Sequence, residues 1–182
     1  MIDSAMMKKN GSIKLAAHPE SFQLEERGKR IFVNVTDARQ IAVIDREKQS
    51  VTATWPMAKF QAHFPMALDE ANHRLFAGCR KPARLVVFDT TTGKPVVDLG
   101  ISGDTDDLFY DPVLKRLYVS CGEGFIDVID QRNADSYQLR ERIKTRSGAR
   151  TSFFSSDRNE FYLAVPTRGN QEAEIRVFKT QK

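Results

Sequence analysis

The feature that most constrains the fold of this chain is a short motif that returns four times at spacings of 42 to 44 residues. Each copy is a charged residue followed by two apolar residues, and the copies begin at Arg30, Arg74, Arg116 and Glu160. A second motif follows each copy, an apolar run closed by a charged residue at Asp45, Asp89, Asp130 and Lys179. Repeats of this period, built from short β-branched and aromatic runs, are typical of all-β proteins of the β-propeller class, whose blades are four-stranded antiparallel sheets.

Each repeat divides into four predicted strands, a to d, separated by polar turns. In the second repeat the predicted strands are 65–68, 74–79, 84–89 and 94–99. The turns between them carry Asp, Asn and Gly, which supply local hydrogen bonds or a positive φ. The whole chain, 1–182, is therefore predicted to be a single propeller domain or segment with about four blades, at 21–63, 64–106, 107–150 and 151–182.

Residues 1–20 are predicted to be the end of a preceding blade. Ile2-Asp3 precedes Ile44-Asp45 by 42 residues, one repeat, so residues 12–16 fall where a strand d belongs. That strand could complete the last blade and close a four-bladed ring, or the chain could be the C-terminal part of a longer propeller. A start inside a predicted strand c favours the second interpretation, a partial propeller. Its uncovered blade faces would favour self-association.

The composition excludes several classes of protein. With 41% hydrophobic and 29% charged residues, the chain is expected to be neither disordered nor built around a membrane span. The net charge of +4 is spread along the chain, so nucleic acid is not an expected partner. The basic cluster within 140–150 is expected to be the solvated face of an outer strand. Cys79 and Cys121 occupy equivalent positions in neighbouring repeats and are expected to be free, buried thiols.

The later part of each predicted strand b resembles the tyrosine-valine-threonine-asparagine run of the bacterial YVTN-type β-propeller repeat family. The matching stretches are 32–35, 76–79, 118–121 and 162–165. The resemblance covers essentially the whole chain, and it implies the fold but no particular activity, because the family has no common active site. It also implies a periplasmic location for a full-length member. This chain lacks a signal-peptide pattern and as given is expected in the cytoplasm.

Loops on one face of a propeller surround its central channel, so binding residues are expected there. Alignment on the repeat places the residues just before each strand a in shared layers, which include Glu20, Asp106, Asp107 and Arg150. The neighbouring Asp104 belongs to the same face. The loops between strands b and c add Arg39, Arg80, Glu123 and Arg168. This rim, acidic on one side and basic on the other, suits a polar ligand with both charges or a peptide segment of a partner. The alternative is a water-filled channel whose polar residues pair with each other.

Metal chemistry is a weaker interpretation. The carboxylate-rich run 103–107 lacks the ligand spacing of an EF-hand loop, so a turn capped by aspartates is expected. His18 and His63 precede strand a in adjacent repeats, and with Glu20 or Asp106 they could imitate the metal-binding mouth of lactonase-like propellers. The arginine in the same layer would repel a cation. The sequence therefore predicts a binding scaffold without cofactor, metal or catalytic residues; a metal-assisted hydrolase and a truncated fragment with no activity of its own are the alternatives.

Overall fold

The structure, a computed structural model, describes residues 2–3 and 8–180. Within those ranges it is all-β, with seventeen strands paired antiparallel. These ranges contain no helix of the length and apolar character that crossing a membrane requires. The first two strands, β1 (Ile2–Asp3) and β2 (Lys8–Lys9), pair with each other. The other fifteen form four sheets, which we number 1 to 4 along the chain.

Consecutive strands pair within each sheet. Sheet 1 contains β3 (Phe22–Leu24), β4 (Arg30–Val35), β5 (Gln40–Asp45) and β6 (Ser50–Pro56). Sheet 2 contains β7 (Gln61–Asp69), β8 (Arg74–Lys81), β9 (Ala83–Asp89) and β10 (Pro95–Gly100). Sheet 3 contains β11 (Thr105–Asp111), β12 (Arg116–Cys121), β13 (Phe125–Asn133) and β14 (Ser136–Lys144). Sheet 4 contains β15 (Thr151–Ser155), β16 (Glu160–Val165) and β17 (Glu174–Lys179).

The strand predictions for the second repeat are confirmed to within four residues at every strand end. The largest difference is at β7, which begins at Gln61 because the chain pairs with β8 earlier than the apolar pattern indicates. Strands b and c of sheets 1 to 3 are buried along most of their length. Both of their faces pack against other parts of the chain, which is why they read as nearly continuous apolar runs. The predicted blade boundaries after residues 63 and 106 fall inside β7 and β11.

The N-terminal part differs from the prediction. Residues 12–16, predicted as a strand d, do not pair with any strand in the described part of the chain. They are nevertheless packed on sheet 1, where Ile13, Leu15 and Ala17 contact a buried apolar cluster. Residues 2–3, predicted to lie in a strand c, form the hairpin strand β1 instead. Met1 lies outside the described residues.

The four sheets pack side by side in chain order. Three apolar clusters join sheets 1 and 2, sheets 2 and 3, and sheets 3 and 4 in turn. The innermost strands β3, β7, β11 and β15 contact each other in the same order. Within residues 8–180 no apolar cluster joins sheet 4 to sheet 1. In the described part of the chain, the sheets therefore form an open arc and not a closed four-bladed ring.

The charged residues of the two repeat motifs lie opposite each other on strands b and c. The pairs are Arg30 with Asp45, Arg74 with Asp89, Arg116 with Asp130, and Glu160 with Lys179. In sheet 4 the signs are reversed, and Lys179 Nζ lies 2.6 Å from Glu160 Oε1. Some motif arginines also reach the next sheet.

Arg74 illustrates this link between sheets. Its guanidinium donates to Ala134 O at 3.1 Å and to Asp135 Oδ1 at 2.7 Å, both in the turn between strands c and d of sheet 3. Arg30 of sheet 1 donates to Thr90 in the equivalent turn of sheet 2. The repeat spacing of the motif therefore reflects a repeated polar contact between neighbouring sheets, in addition to a repeated strand.

Candidate functional site

Four charged side chains from three neighbouring sheets form a closed set of ion pairs, which we call the charge ring: Arg80, Asp104, Asp106 and Arg150. Arg80 lies 3.3 Å from Asp104 Oδ1 and 2.6 Å from Asp106 Oδ1. Arg150 pairs with Asp104 Oδ2 and lies 3.4 Å from Asp106 Oδ2. Each arginine therefore contacts both carboxylates. All four residues were predicted for this face, and the structure brings them together.

The sheet topology explains this convergence. Arg80 lies near the end of β8 in sheet 2, and Asp106 is the second residue of β11 in sheet 3. Asp104 precedes β11, and Arg150 directly precedes β15 of sheet 4. In an antiparallel sheet, the last residues of strand b and the first residues of strand a lie at the same end of the strands. Because the sheets pack in order, these ends of neighbouring sheets lie next to each other.

Arg80 is held by more than its two carboxylates. Its Nε donates to Thr105 O at 2.8 Å. Its guanidinium carbon lies 4.3 Å from the centre of the Phe64 ring, a cation–π contact. These contacts fix the orientation of the Arg80 side chain.

Asp104 is held by its backbone. It has a positive φ of 59°, and its carbonyl accepts a hydrogen bond from Gly122 N at 2.8 Å. A Cβ atom at Gly122 would overlap the Asp104 carboxylate, so a larger residue there would displace this carboxylate from its present position. Only Gly103 and Asp104 form the bend before β11, and residues 105–107 are the first three of that strand, so the turn expected for 103–107 covers its first two residues alone.

Two further carboxylates hold the loop that carries the ring aspartates. Glu123 Oε2 accepts a hydrogen bond from Gly103 N at 2.6 Å. Asp127, fully buried in β13, accepts hydrogen bonds from Ser102 N at 2.6 Å and from Ser102 Oγ at 2.8 Å. Arg142 Nε lies 3.3 Å from the same carboxylate. The predicted site residue Glu123 therefore positions the loop and does not join the ring.

Asp127 was not predicted as a site residue. The available signal was a carboxylate in the middle of an apolar run, at the position where β5 carries Ala42 and β9 carries Val86. A charged residue at a buried strand position needs partners, because an unpaired buried charge is costly. Its partners come from a loop 25 residues earlier in the chain, a distance that no local pattern encodes.

Asp107 points away from the ring arginines. Its Oδ2 accepts a hydrogen bond from Ser152 N at 2.5 Å and so links strand a of sheet 3 to strand a of sheet 4. Burial raises the pKa of Asp107, the backbone bond from Ser152 lowers it, and the neighbouring negative charge of Asp106 raises it again, for a net increase. Asp107 is thus a structural link between sheets.

Three other predicted residues also lie outside the ring in the described part of the chain. Glu20 lies 3.8 Å from His18, and exposed Arg39 has a positive φ of 50° in its turn. Arg168 donates to Ser147 Oγ at 2.5 Å. These side chains belong to separate loops and do not extend the charge ring.

The electrostatics differ from the prediction of one acidic and one basic side. Arginines alternate with aspartates, so the ring carries no net charge. The hydrogen bond with Asp104 is the main cause of a raised pKa at Arg150. The four side chains are 21–39% exposed, so solvent and ligands can reach them. The observed pairing is the one described by the alternative interpretation, in which the rim charges pair with each other.

Of the two histidines predicted for a metal-binding mouth, one is buried and the other is exposed. His63 lies inside β7 and is fully buried, with Nδ1 3.1 Å from Asn34 Oδ1. His18 is an exposed neighbour of Glu20. In residues 8–180 no group of three or more metal-ligating side chains occurs. Cys79 and Cys121 are free and buried, as predicted, and burial raises the pKa of Cys79 to about 12.

His63 is expected to make the folded state less stable at low pH. Burial lowers the pKa of His63 from 6.5 to about 4. Between these two pH values the unfolded chain binds a proton that the folded chain does not, so the contribution is fully present above pH 6.5 and is lost as the pH falls towards 4. The shift corresponds to about 3 kcal/mol in the free energy of unfolding, which urea titrations over this pH range would measure.

His63→Gln is the test variant, because it removes the titrating group and keeps a polar side chain. Between pH 6.5 and 4, the free energy of unfolding of this variant should fall by about 2–3 kcal/mol less than that of the wild type. The matched control is His18→Gln, which replaces an exposed histidine and should keep the wild-type pH profile. Equal pH profiles for the wild type and both variants would contradict this assignment.

Comparison with known proteins identifies the fold only. No protein-family model matches this chain, and no curated protein matches it in sequence. Hydrazine synthase of Kuenenia stuttgartiensis matches 94% of the chain with a TM-score of 0.78 and 17% identity. A crystal structure of a mitotic checkpoint complex matches 83% of it with a TM-score of 0.70 and 13% identity. The chain spans about half of each matched chain, 49% and 47%. The all-β fold is therefore propeller-like.

Proposed function

We propose that this chain is a binding scaffold and that its site is the charge ring with the surrounding loops. The proposed occupant is a peptide segment of a partner protein that carries both acidic and basic side chains. Two arginines and two aspartates from three sheets converge at one rim, and this convergence is the main support. A propeller-like fold suits a binding scaffold in general, although a fold alone does not name a ligand.

The energetics of the ring favour exchange of partners. Partly exposed ion pairs contribute about 0–1 kcal/mol each, so a ligand can replace one at small cost. The planar guanidinium of Arg80 or Arg150 can take a ligand carboxylate in two parallel hydrogen bonds. The aspartate released in this way then needs a cation. A ligand with both charges satisfies both requirements, whereas a ligand with one charge leaves a ring member unpaired.

The test begins with peptides selected on the wild-type chain from a displayed library of random sequences. Arg150→Gln and Asp106→Asn should each raise the Kd of a selected peptide roughly 10- to 100-fold, the range expected for central residues of a binding site. Fluorescence anisotropy would measure the Kd at low and high salt. Affinity should fall with added salt, because the contacts are between partly exposed charges.

The matched control is Arg84→Gln. Arg84 Nε lies 2.5 Å from Asp98 Oδ1, an exposed ion pair on the outer strands of sheet 2. Its loss should leave the Kd of the peptide unchanged. Equal binding by the wild type, the two ring variants and the control would place the peptide elsewhere and contradict the proposal. Selected peptides that lack acidic or basic residues would contradict it as well.

We also propose that the four sheets are consecutive blades of one propeller arc. The three repeated clusters between neighbouring sheets support this. Membership of the YVTN-type repeat family and a periplasmic location for a full-length relative stay predictions from the resemblance.

A further inference from the structure

Sheet 4 presents an apolar face that no other sheet covers in residues 8–180, and its one ring contact with another sheet there is between Phe153 and Phe109 of sheet 3, with ring centres 6.5 Å apart. This leading face consists of Phe153, Tyr162, Ile175 and Val177, which lie side by side across the three strands. Phe153 is 61% exposed, Ile175 62% and Val177 54%. An exposed apolar patch of this kind marks an interaction surface in a folded protein.

The other three sheets use the same positions to pack on the next sheet. The counterparts of Tyr162, Ile175 and Val177 are Phe32, Ile41 and Val43 in sheet 1, Phe76, Leu85 and Val87 in sheet 2, and Tyr118, Ile126 and Val128 in sheet 3. Each set is buried in the cluster shared with the following sheet. The leading face of sheet 4 is therefore the first half of a fourth interface of the same kind.

Sheet 1 presents the second half. Its trailing face includes Phe22 and Leu24, both exposed. Their counterparts, Met66 and Leu68, pack in the cluster between sheets 1 and 2. The buried part of the trailing face is formed by four residues, Val33, Val35, Ala42 and Ile44. Their counterparts in sheet 2 are Ala77, Cys79, Val86 and Phe88, which all contact sheet 1.

Residues 12–16 have the pattern of a strand d, the element that sheet 4 does not have in the described residues. Ile13 and Leu15 precede Trp55 and Met57 by 42 residues, and they pack on sheet 1 as Trp55 and Met57 pack on sheet 2. Burial alternates along this segment as it does in a strand. Sheet 4 has three strands in the described residues, and the outer edge of β17 is unpaired there. The segment is thus a strand d placed on sheet 1 without a strand c beside it.

We propose that sheet 4 of one molecule docks on sheet 1 of a second copy, whose residues 12–16 pair with β17. Internal pairs give the register: Ile41 lies opposite Trp55 in sheet 1, so Ile175 would lie opposite Ile13 of the second copy. Glu174 would then face Lys14, a pair of opposite charges. The contact is head-to-tail, and two such contacts close a ring of two chains.

The motif of sheet 4 has Glu160 and Lys179 where the other repeats have arginine and aspartate. This reversal is consistent with a second copy on the leading face. Between sheets 1 and 2, Arg30 donates to Thr90, the residue after the closing aspartate of strand c. Between sheet 4 and a second sheet 1, the corresponding residues are Glu160 and Arg46. A second copy would therefore bring the cation Arg46 towards Glu160, a carboxylate that within one chain binds Lys179 Nζ. The chain also spans about half of two propeller-like chains, which leaves room for a second arc.

Light scattering after size exclusion tests the proposal. The wild type should have twice the 20.7 kDa mass of one chain. Val177→Asp in the leading face and Leu24→Asp in the trailing face should each give a monomer. An equimolar mixture of the two variants should regain the two-chain mass, because one interface in the mixed pair is unmodified. Val113→Asp, at an exposed position in the first turn of sheet 3, is the control and should stay two-chain.

Several results would overturn the proposal. If the wild type is a monomer in solution, no second copy docks on it. If it forms aggregates without a fixed mass, two chains do not close into a ring. A two-chain species that survives Leu24→Asp but not Val177→Asp would mean that two leading faces meet each other. Circular dichroism identifies any variant that fails to fold.

Disulfide cross-linking tests the proposed register between β17 and residues 12–16 of the second copy without introducing charged residues. Opposed residues in an antiparallel pair have Cβ atoms about 4.5–5.5 Å apart, close to the spacing a disulfide needs. Oxidation of a mixture of Ile13→Cys and Ile175→Cys chains should give a cross-linked pair. A mixture of Val113→Cys and Ile175→Cys chains should not. Equal cross-linking in both mixtures would overturn the proposed register.

Discussion

Trp55→Ala is expected to lower the free energy of unfolding by about 3–5 kcal/mol, the range for truncating a large buried aromatic residue. Trp55 is buried between sheets 1 and 2. Its ring centre lies 5.3 Å from that of Phe32 and 6.0 Å from that of Phe88. It also covers Gly93, where a Cβ atom would overlap the indole ring. Removal of the indole leaves a cavity that the flanking strands can fill only in part.

Urea denaturation followed by circular dichroism would measure this loss. Trp55 is the single tryptophan, so its own fluorescence cannot report on the variant. Val96→Ala, at an exposed apolar position in β10, is the matched control and should change stability by less than about 0.5 kcal/mol. A loss below about 1 kcal/mol for Trp55→Ala would show that the interface between sheets 1 and 2 is not packed as described.

Asp127→Ala is expected to lower the free energy of unfolding by about 3–6 kcal/mol, because hydrogen bonds to a charged acceptor contribute about 1.5–3 kcal/mol each and two are lost. Ser102 N and Ser102 Oγ would lose their acceptor in a buried setting. Arg142 would lose its partner but can turn to solvent. The loop released at Ser102 carries Asp104 and Asp106, so the charge ring should also become less ordered.

Two measurements check this prediction. Urea denaturation should show the stability loss, and the Kd of a selected peptide should rise even though Asp127 does not touch the rim. Asp98→Ala is the control, because Asp98 is a partly exposed partner of Arg84 and its loss should cost less than about 1 kcal/mol. The prediction is contradicted if Asp127→Ala and Asp98→Ala have equal stability and equal peptide binding.

Much of the fold was predictable from the repeats. The spacing of Arg30, Arg74 and Arg116 placed strand b of sheets 1 to 3, and the apolar runs placed strand c. Residues 12–16 show the limit of this reasoning. Their apolar alternation and their packing on sheet 1 match a strand d, but a strand also needs a neighbour to pair with, and none lies beside it in the described residues.

The candidate site was predictable in part. Alignment of the repeats placed Asp106 and Arg150 in one layer, the loops between strands b and c added Arg80, and the carboxylate-rich run added Asp104; the structure brings these four side chains together. Mutual pairing was the alternative interpretation, but the sequence did not predict which residues pair, nor that Glu20, Arg39 and Arg168 lie apart from them. Ion pairing depends on differences of a few ångströms between loops of different sheets, and the sequence pattern carries no such distances. Asp127 was missed for the same reason.

Strand positions and apolar faces follow from the chain alone, because alternation and repeat spacing are local properties. Three features needed the tertiary structure: the open arc, the neutral charge ring and the burial of His63. The angle between neighbouring sheets depends on the volumes packed between them, such as the indole of Trp55, and these angles add up over the arc. Whether sheet 4 meets sheet 1 is therefore a property of the whole assembly of sheets, and no single repeat contains it.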